Sequence, residues 1–360
     1  MQIRNLNKKT ETSITRREFL GLSTLAAAGF VIGCAVDPVT GKKQFMLVSE
    51  DQEIQIDKQY SPLQFSADFG PVQDRKLNAY VDGIGQKMAA RTHRPRMPYS
   101  FRVVNATYIN AYAFPGGSIA VTRGILLKLE NEAELAGLLG HELGHVNARH
   151  SAEQMSKGQL SQAIVGGLSA IAGTQGAAYG EIAQQLGSIS AGALLASYSR
   201  DNEREADALG MAYMVDSGYG SSGFVGLMEM LNSLSKHKAS AAELLFATHP
   251  MSDERYQTAV SEARSTYKAT QNKPLYRERY MDNIASVRAQ SGAIEEMQKG
   301  GESLLKKQYD NADQHFRMAL KKSPNDYTAL VMMATSHMVQ KEWAVGRQYA
   351  GMAKKVYPQE

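Results

Sequence analysis

Cysteine is nearly absent: the 360 residues contain one, Cys34. That excludes a disulfide scaffold and any cysteine-based zinc finger. Long apolar runs are also lacking. Residues 19–33 carry no charge but number only fifteen, and residues 163–172 are apolar or small over ten. Both fall short of the roughly 20 residues a transmembrane helix needs, which argues against a polytopic membrane protein. A large excess of one charge is missing too, with 40 Lys+Arg against 36 Asp+Glu and a net charge of +4. What is present is 43 % hydrophobic and 21 % charged residues, a globular composition rather than a disordered one. The length allows two or three domains at roughly 150 residues each.

The small positive charge is concentrated at the start. Residues 1–33 hold Arg4, Lys8, Lys9, Arg16 and Arg17 against Glu11 and Glu18. A basic opening, a short apolar stretch and a small residue before a boundary describe a secretory signal. Thr15-Arg-Arg-Glu-Phe-Leu20 resembles a twin-arginine export signal, with Gly21 where that motif often has Lys. Val31-Ile-Gly-Cys34 resembles a lipobox, which makes Cys34 the expected site of a lipid and the anchor to a membrane. Ala35 follows where an Asp would resemble an inner-membrane retention signal, so the periplasmic face of the outer membrane is the expected address. Without residues 1–33 the chain has 35 basic and 34 acidic residues. No nucleic-acid partner is expected from that balance.

Beyond Cys34 the pattern predicts amphipathic helix over about 50–92, broken by Arg94-Pro-Arg-Met-Pro98. Residues 99–104 and 118–122 alternate like strands, with Pro115-Gly-Gly117 as the turn between them. Asn131 is a good N-cap for a long helix, and Glu134 completes a capping-box pattern. Residues 156–197, rich in Gly, Ala, Ser and Gln, read as weakly packed helix and loop. A further helix is expected over about 198–216 and others to about 268. The expected units are a signal over 1–33, a catalytic domain over 34–272, a linker or helix over 273–292 and helical hairpins over 293–360. The last unit carries a repeat. Tyr309, Ala312, Ala319 and Pro324 recur 34 residues later as Trp343, Gly346, Ala353 and Pro358, the period and pattern of tetratricopeptide helix pairs.

The chemistry centres on His141-Glu-Leu-Gly-His145. Residues four apart on a helix lie about 40° and one turn from each other, so both imidazoles can face one zinc ion. Glu142 beside them can act on water at that ion. The flanking Leu135, Leu138, Leu139 and Val146 mark a core helix, where unpartnered histidines would carry desolvation costs. A zinc hydrolase needs a third ligand. His150 lies nine residues past His141, near the opposite helix face, and Ala148 and Ser151 exclude the metzincin spacing. Glu203 and Asp207 share a face of the later helix, and Glu205 points away from both. Glu203 can bind the metal, and Asp207 can accept the free N–H of a ligand histidine. A solvated, charge-rich helix face is the other reading of residues 201–207.

His-Glu-Leu-Gly-His with Glu203-Arg-Glu-Ala-Asp207, preceded by Asn110-Ala-Tyr-Ala-Phe-Pro-Gly-Gly117 and Ala120-Val-Thr-Arg-Gly124, resembles the HtpX/BepA-type zinc endopeptidases. These are metallopeptidase family forty-eight, which includes the CAAX-prenyl proteases; the similarity runs from about residue 40 to 255. The resemblance implies a predominantly helical α+β fold: a gluzincin-like peptidase domain with a small antiparallel sheet, then tetratricopeptide-like hairpins. It implies one zinc ion per chain on His141, His145 and Glu203, with Glu142 as the catalytic carboxylate. His249, in Thr248-His-Pro250, would donate to the oxyanion or cap the zinc at rest, and Arg255 is a weaker match. Gly117, Ser118, Ile119 and Ala120 would form an edge strand that receives an extended substrate. The implied activity is hydrolysis of unfolded or misfolded envelope proteins, with a possible envelope partner on the repeats. A chaperone or adaptor with a non-catalytic zinc site is the alternative.

Overall fold

The computed structural model describes residues 34–159 and 197–360. The export signal and residues 160–196 of the Gly-rich segment lie outside the described residues. Cys34 opens a short strand, β1 (Cys34–Val36), antiparallel to β2 (Lys43–Phe45).

The amphipathic stretch forms two helices rather than one. α1 (Glu50–Ala67) starts at Ser49, whose side chain and that of Gln52 make a reciprocal capping box. α2 (Arg75–Ala89) starts at Asp74, which accepts from the Leu77 N–H. Between them Phe69 and Gly70 adopt positive φ, and Pro71 follows, which stops α1. The apolar face of α2 (Leu77, Val81, Ile84, Met88) is buried in the main core.

The sheet corrects two expectations. It has three strands in the order β3 (Ser100–Val104), β5 (Ser118–Thr122), β4 (Ala111–Ala113). β4 and β5 are the antiparallel arms of the Pro115-Gly-Gly117 hairpin, but β3 runs parallel to β5, so the sheet is mixed. Gly117–Ala120 therefore does not form an edge. Ser118, Ile119 and Ala120 sit in the central strand, paired with Ser100, Phe101 and Arg102 on one side, and Ile119 and Ala120 also with Ala113 and Tyr112 on the other. The alternation predicted β3 and β5 and joined them through the Pro115-Gly-Gly117 turn; that turn instead joins β5 to β4, a strand no expectation covered, and β3 pairs parallel with β5 on its other side. The outer strands are β4 and β3, and residues 70–72 lie along β3.

α3 (Glu132–Asn147) begins at Asn131 as predicted, with the Asn131 side chain accepting from the Glu134 N–H at 3.0 Å. The Glu134 carboxylate reaches back one residue further than a capping box, to the Glu130 N–H at 2.7 Å. Every residue of α3 is buried. α4 (Arg200–Asp216) crosses α3 closely, and α5 (Ser221–Lys236) packs on its other side. The close crossing depends on missing side chains. A Cβ at Gly144 would stand 2.8 Å from the Ala206 backbone, and one at Gly140 would stand 2.7 Å from the Gly210 carbonyl oxygen. α6 (Glu243–Thr248) and α7 (Asp253–Arg264) complete this part.

Residues 273–292 are packed, not extended. Tyr280 and Ile284 are fully buried in the main core, and the Tyr280 hydroxyl donates to the Leu126 carbonyl. Four helices follow: α8 (Ser291–Leu305), α9 (Tyr309–Lys322), α10 (Tyr327–Val339) and α11 (Trp343–Val356). α9 and α11 have equal lengths, and both their ends are offset by the 34 residues of the repeat. Ala312, Ala319, Gly346 and Ala353 are its buried small positions. Among the described residues, no helix is long and apolar enough to cross a membrane.

Candidate metal centre

α3 presents His141 and His145 one turn apart, and the narrow crossing brings Glu203 of α4 against both. His145 Nε2 lies 3.0 Å from His141 Nε2 and 3.3 Å from Glu203 Oε1. His141 Nε2 lies 3.6 Å from Glu203 Oε2. His249 comes from the end of α6. Pro250 disfavours helix at the residue before it, so the chain turns out at His249 and aims the imidazole inward. Its Nδ1 is 3.0 Å from Glu203 Oε1 and 3.4 Å from His141 Nε2. The four residues are buried, and one ligand atom of each lies within 4.8 Å of the others.

The surroundings set where the protons sit. Asp207 Oδ1, an acceptor, is 2.9 Å from His141 Nδ1, so that nitrogen carries the proton and Nε2 is left bare. Arg255 holds Asp207 through Nε and Nη2, each at 2.7 Å, and its Nη1 lies 2.6 Å from Glu203 Oε2. Burial alone would raise the Asp207 carboxyl, but the Arg255 charge outweighs it and keeps the group below its ordinary range. Glu203 sits well below that range as well: burial opposes ionisation, yet the neighbouring His249 and His141 prevail. Burial drives His145 well below the usual histidine value. Burial pushes Glu142 up, opposed by His249 and His141, and its Oε2 is buried with no hydrogen-bond partner among the described residues.

The donor set fits a divalent cation. Bare imidazole nitrogens and an ionised carboxylate converge in a buried space, an arrangement that repels itself unless a positive ion is shared among them. Three further residues touch this cluster that the sequence reading dismissed or passed over. Tyr198 stacks on His145 with ring centroids 3.8 Å apart and donates to or accepts from Ser151 at 3.0 Å. Nothing in the pattern around residue 198 signals it. Arg255 was the weak match, and it is the cation that ties Asp207 to Glu203.

His150 is the third. α3 stops at Asn147, and Arg149 takes the left-handed conformation at φ 59°, so helix resumes at residue 150 in a new direction. His150 Nδ1 then lies 2.9 Å from His145 Nδ1. Continued α3 geometry would have carried it away. Arg149 is held in that turn by Glu53 at 3.2 Å and by the Val48 carbonyl at 2.7 Å. No Gly or Pro marks the break, so the sequence offered no sign of it. Glu205 does point away from Glu203 and Asp207, but its Oε2 lies 3.2 Å from His150 Nε2.

Comparison with known proteins agrees with this geometry. The family described as Peptidase family M48 matches residues 75–263. The chain is 32 % identical over 241 residues to the beta-barrel assembly-enhancing protease of Yersinia pestis, covering 66 % of this chain and 48 % of that protein. It is 39 % identical over 160 residues to metalloprotease YcaL of Escherichia coli, covering 44 % and 60 %. It is 28 % identical over 225 residues to the mitochondrial metalloendopeptidase OMA1 of Schizosaccharomyces pombe, covering 61 % and 63 %. The matched region spans about half to three fifths of the length of these relatives.

Proposed function

The chain belongs to peptidase family M48, and on that premise we propose that it is a zinc endopeptidase of a bacterial envelope that cleaves unfolded or misfolded envelope proteins. One observation carries the reading: three donor residues and His249 converge beside a buried carboxylate, Glu142, whose Oε2 has no hydrogen-bond partner among the described residues. A purely structural zinc site has no use for that carboxylate, which disfavours the chaperone or adaptor alternative.

His141, His145 and Glu203 would hold the zinc. Zinc bound there would supply a Lewis acid and make water available as a nucleophile at neutral pH. Glu142 takes the proton of the attacking water and passes it to the leaving amine. Asp207 and Arg255 keep His141 and Glu203 in position. His249 donates to the oxyanion as the peptide carbonyl becomes tetrahedral; at rest it pairs with Glu203.

The substrate would extend along the β4 edge. Hydrogen bonds between Thr122 and Asn110 and between Phe114 and Ser118 leave the N–H and C=O of Ala111 and Ala113 directed away from β5. Pairing of that kind reads backbone and suits an unfolded chain. The space beside His141 and Glu142 is walled by Leu138, Leu227, Met228, Leu245, Phe246 and Met251. An apolar substrate side chain next to the scissile bond suits those walls. A lipid on Cys34 would tether the enzyme to the outer membrane, and the repeats over 293–360 would dock an envelope partner.

Glu142→Gln tests the reading. The variant should keep its zinc by metal analysis and lose about 10²–10⁴-fold in cleavage of casein. Cleavage at the wild-type rate would overturn the mechanism.

A further inference from the structure

We propose that His150 and Glu205 form a positioning relay for His145, the counterpart of what Asp207 does for His141; this rests on the zinc reading above. The two ligand histidines are backed in different ways. His141 has a carboxylate directly behind it, from the helix that also brings Glu203. His145 has a second histidine behind it, and the carboxylate comes one residue later, at Glu205.

The direction of the hydrogen bonds follows from what each group can do. The Glu205 carboxylate only accepts, so the His150 Nε2 facing it at 3.2 Å is the nitrogen that bears hydrogen. A neutral His150 then has a bare Nδ1. In the 2.9 Å contact between the two Nδ1 atoms, the hydrogen is therefore on His145. Its Nε2 is left as a lone pair facing Glu203 and His141, which is the state a ligand requires. The ring plane is fixed as well, because Tyr198 stacks on one face of His145 while His150 holds its edge.

The relay is rigid at one end and open at the other. His150 is 2 % exposed in its side chain, against 35 % for Glu205. The left-handed turn at Arg149, locked to the buried Glu53, is what brings His150 back toward His145. Glu205 and His150 are thus positioning residues that act through His145 and touch no substrate. Tuning of a ligand histidine by such a partner is typically worth about 10–100-fold in metal affinity.

The test measures zinc affinity of the full chain by competition with a chromophoric chelator, alongside melting by circular dichroism. His150→Leu leaves the His145 N–H without an acceptor and should weaken zinc binding by about 10–100-fold. His150→Asn puts an amide oxygen where Nδ1 stood and should restore affinity to within a few-fold of wild type. Glu205→Gln keeps an acceptor for His150 and should cost a few-fold at most, whereas Glu205→Leu should approach His150→Leu. The proposal fails if His150→Leu binds zinc as wild type does, or if Asn at 150 is no better than Leu. If His150→Leu does not fold, the Asn variant and the Glu205 pair decide alone, with Glu205→Leu no weaker than Glu205→Gln overturning the relay. Glu203→Ala separates the two ideas. Unchanged zinc content in that variant defeats the centre itself, whereas its loss with an unaffected His150→Leu defeats only the relay.

Discussion

Two buried charge clusters of this molecule are equally hidden from water and differ in how complete they are. At the metal centre, Glu142 and Glu203 are 1 % and 0 % exposed, and Glu142 Oε2 has no hydrogen-bond partner among the described residues. At the junction between the sheet and the C-terminal helices, Arg123 and Asp326 are buried to a similar degree. There every nitrogen of the guanidinium is used: Nε donates to the Asn105 carbonyl, Nη1 to Gln290 and to Asp326 at 2.7 Å, and Nη2 to Thr328. Asp326 also caps α10 by accepting from the Ala329 N–H. Burial by itself does not distinguish function from structure. At these two clusters the hydrogen bonding does: every guanidinium nitrogen at the junction has an acceptor, whereas Glu142 Oε2 has no partner among the described residues.

The comparison is sharpest at Asp326. Asp326→Ala strands a buried guanidinium and removes a helix cap, so it should destabilise the protein by about 3–5 kcal/mol. Denaturant unfolding checks that value. Trp343, the sole tryptophan, lies on α11 and gives a fluorescence signal from this end of the chain. Zinc affinity of the folded variant should match wild type. If zinc affinity falls while the unfolding free energy holds, the two clusters are not separable in this way.

Gly144 probes the other cluster with a smaller change. In Gly144→Ala the new methyl would meet Ala206 backbone at 2.8 Å, and backbone cannot give way, so α4 must shift. A small-to-large change of this type costs about 1–3 kcal/mol. Its specific mark is a loss of zinc affinity, because Glu203 and Asp207 ride on the helix that moves. Gly137→Ala is the matched control. Its methyl faces the Phe224 and Leu227 side chains at 3.3–3.4 Å and leaves α4 in place. Equal zinc affinity in the two variants would show that the crossing does not set the centre.

Legibility divides along the same line. The start of α3, the strands β3 and β5 and the 34-residue offset of α9 and α11 could be read because each rests on local rules: a cap, an alternation, a period. That Asp207 would back a ligand histidine was legible, because Glu203 and Asp207 share a helix face; that the histidine is His141 came from the structure. What could not be read depends on backbone events with no residue signal. The turn at Arg149 redirects His150 toward His145 although no glycine or proline stands there. The central position of β5 depends on β3 returning parallel to it, which no pattern within residues 117–122 encodes. Arg255 was visible only as a neighbour of His249, and its role emerges once Asp207 and Glu203 are seen to share it.

The smallest effect is expected at Trp343, and it tests whether the C-terminal hairpins belong wholly to the scaffold. Trp343 opens α11 and is 57 % exposed, in a helix whose buried positions are small, Gly346 and Ala353. An exposed side chain that fills no cavity contributes little to folding, so Trp343→Ala should change stability by no more than about 0.5 kcal/mol. Circular dichroism must report it, since the variant has no tryptophan. Zinc affinity and cleavage of casein should also stay at wild-type values, because the residue lies on neither the crossing of α3 and α4 nor the β4 edge. Slower cleavage of an assembled envelope substrate, with casein cleavage unchanged, would assign this face to docking. A stability loss of 2 kcal/mol or more would instead mean that the aromatic is part of the packing of the repeat, and the contrast between the centre and the scaffold would then extend to the last helix.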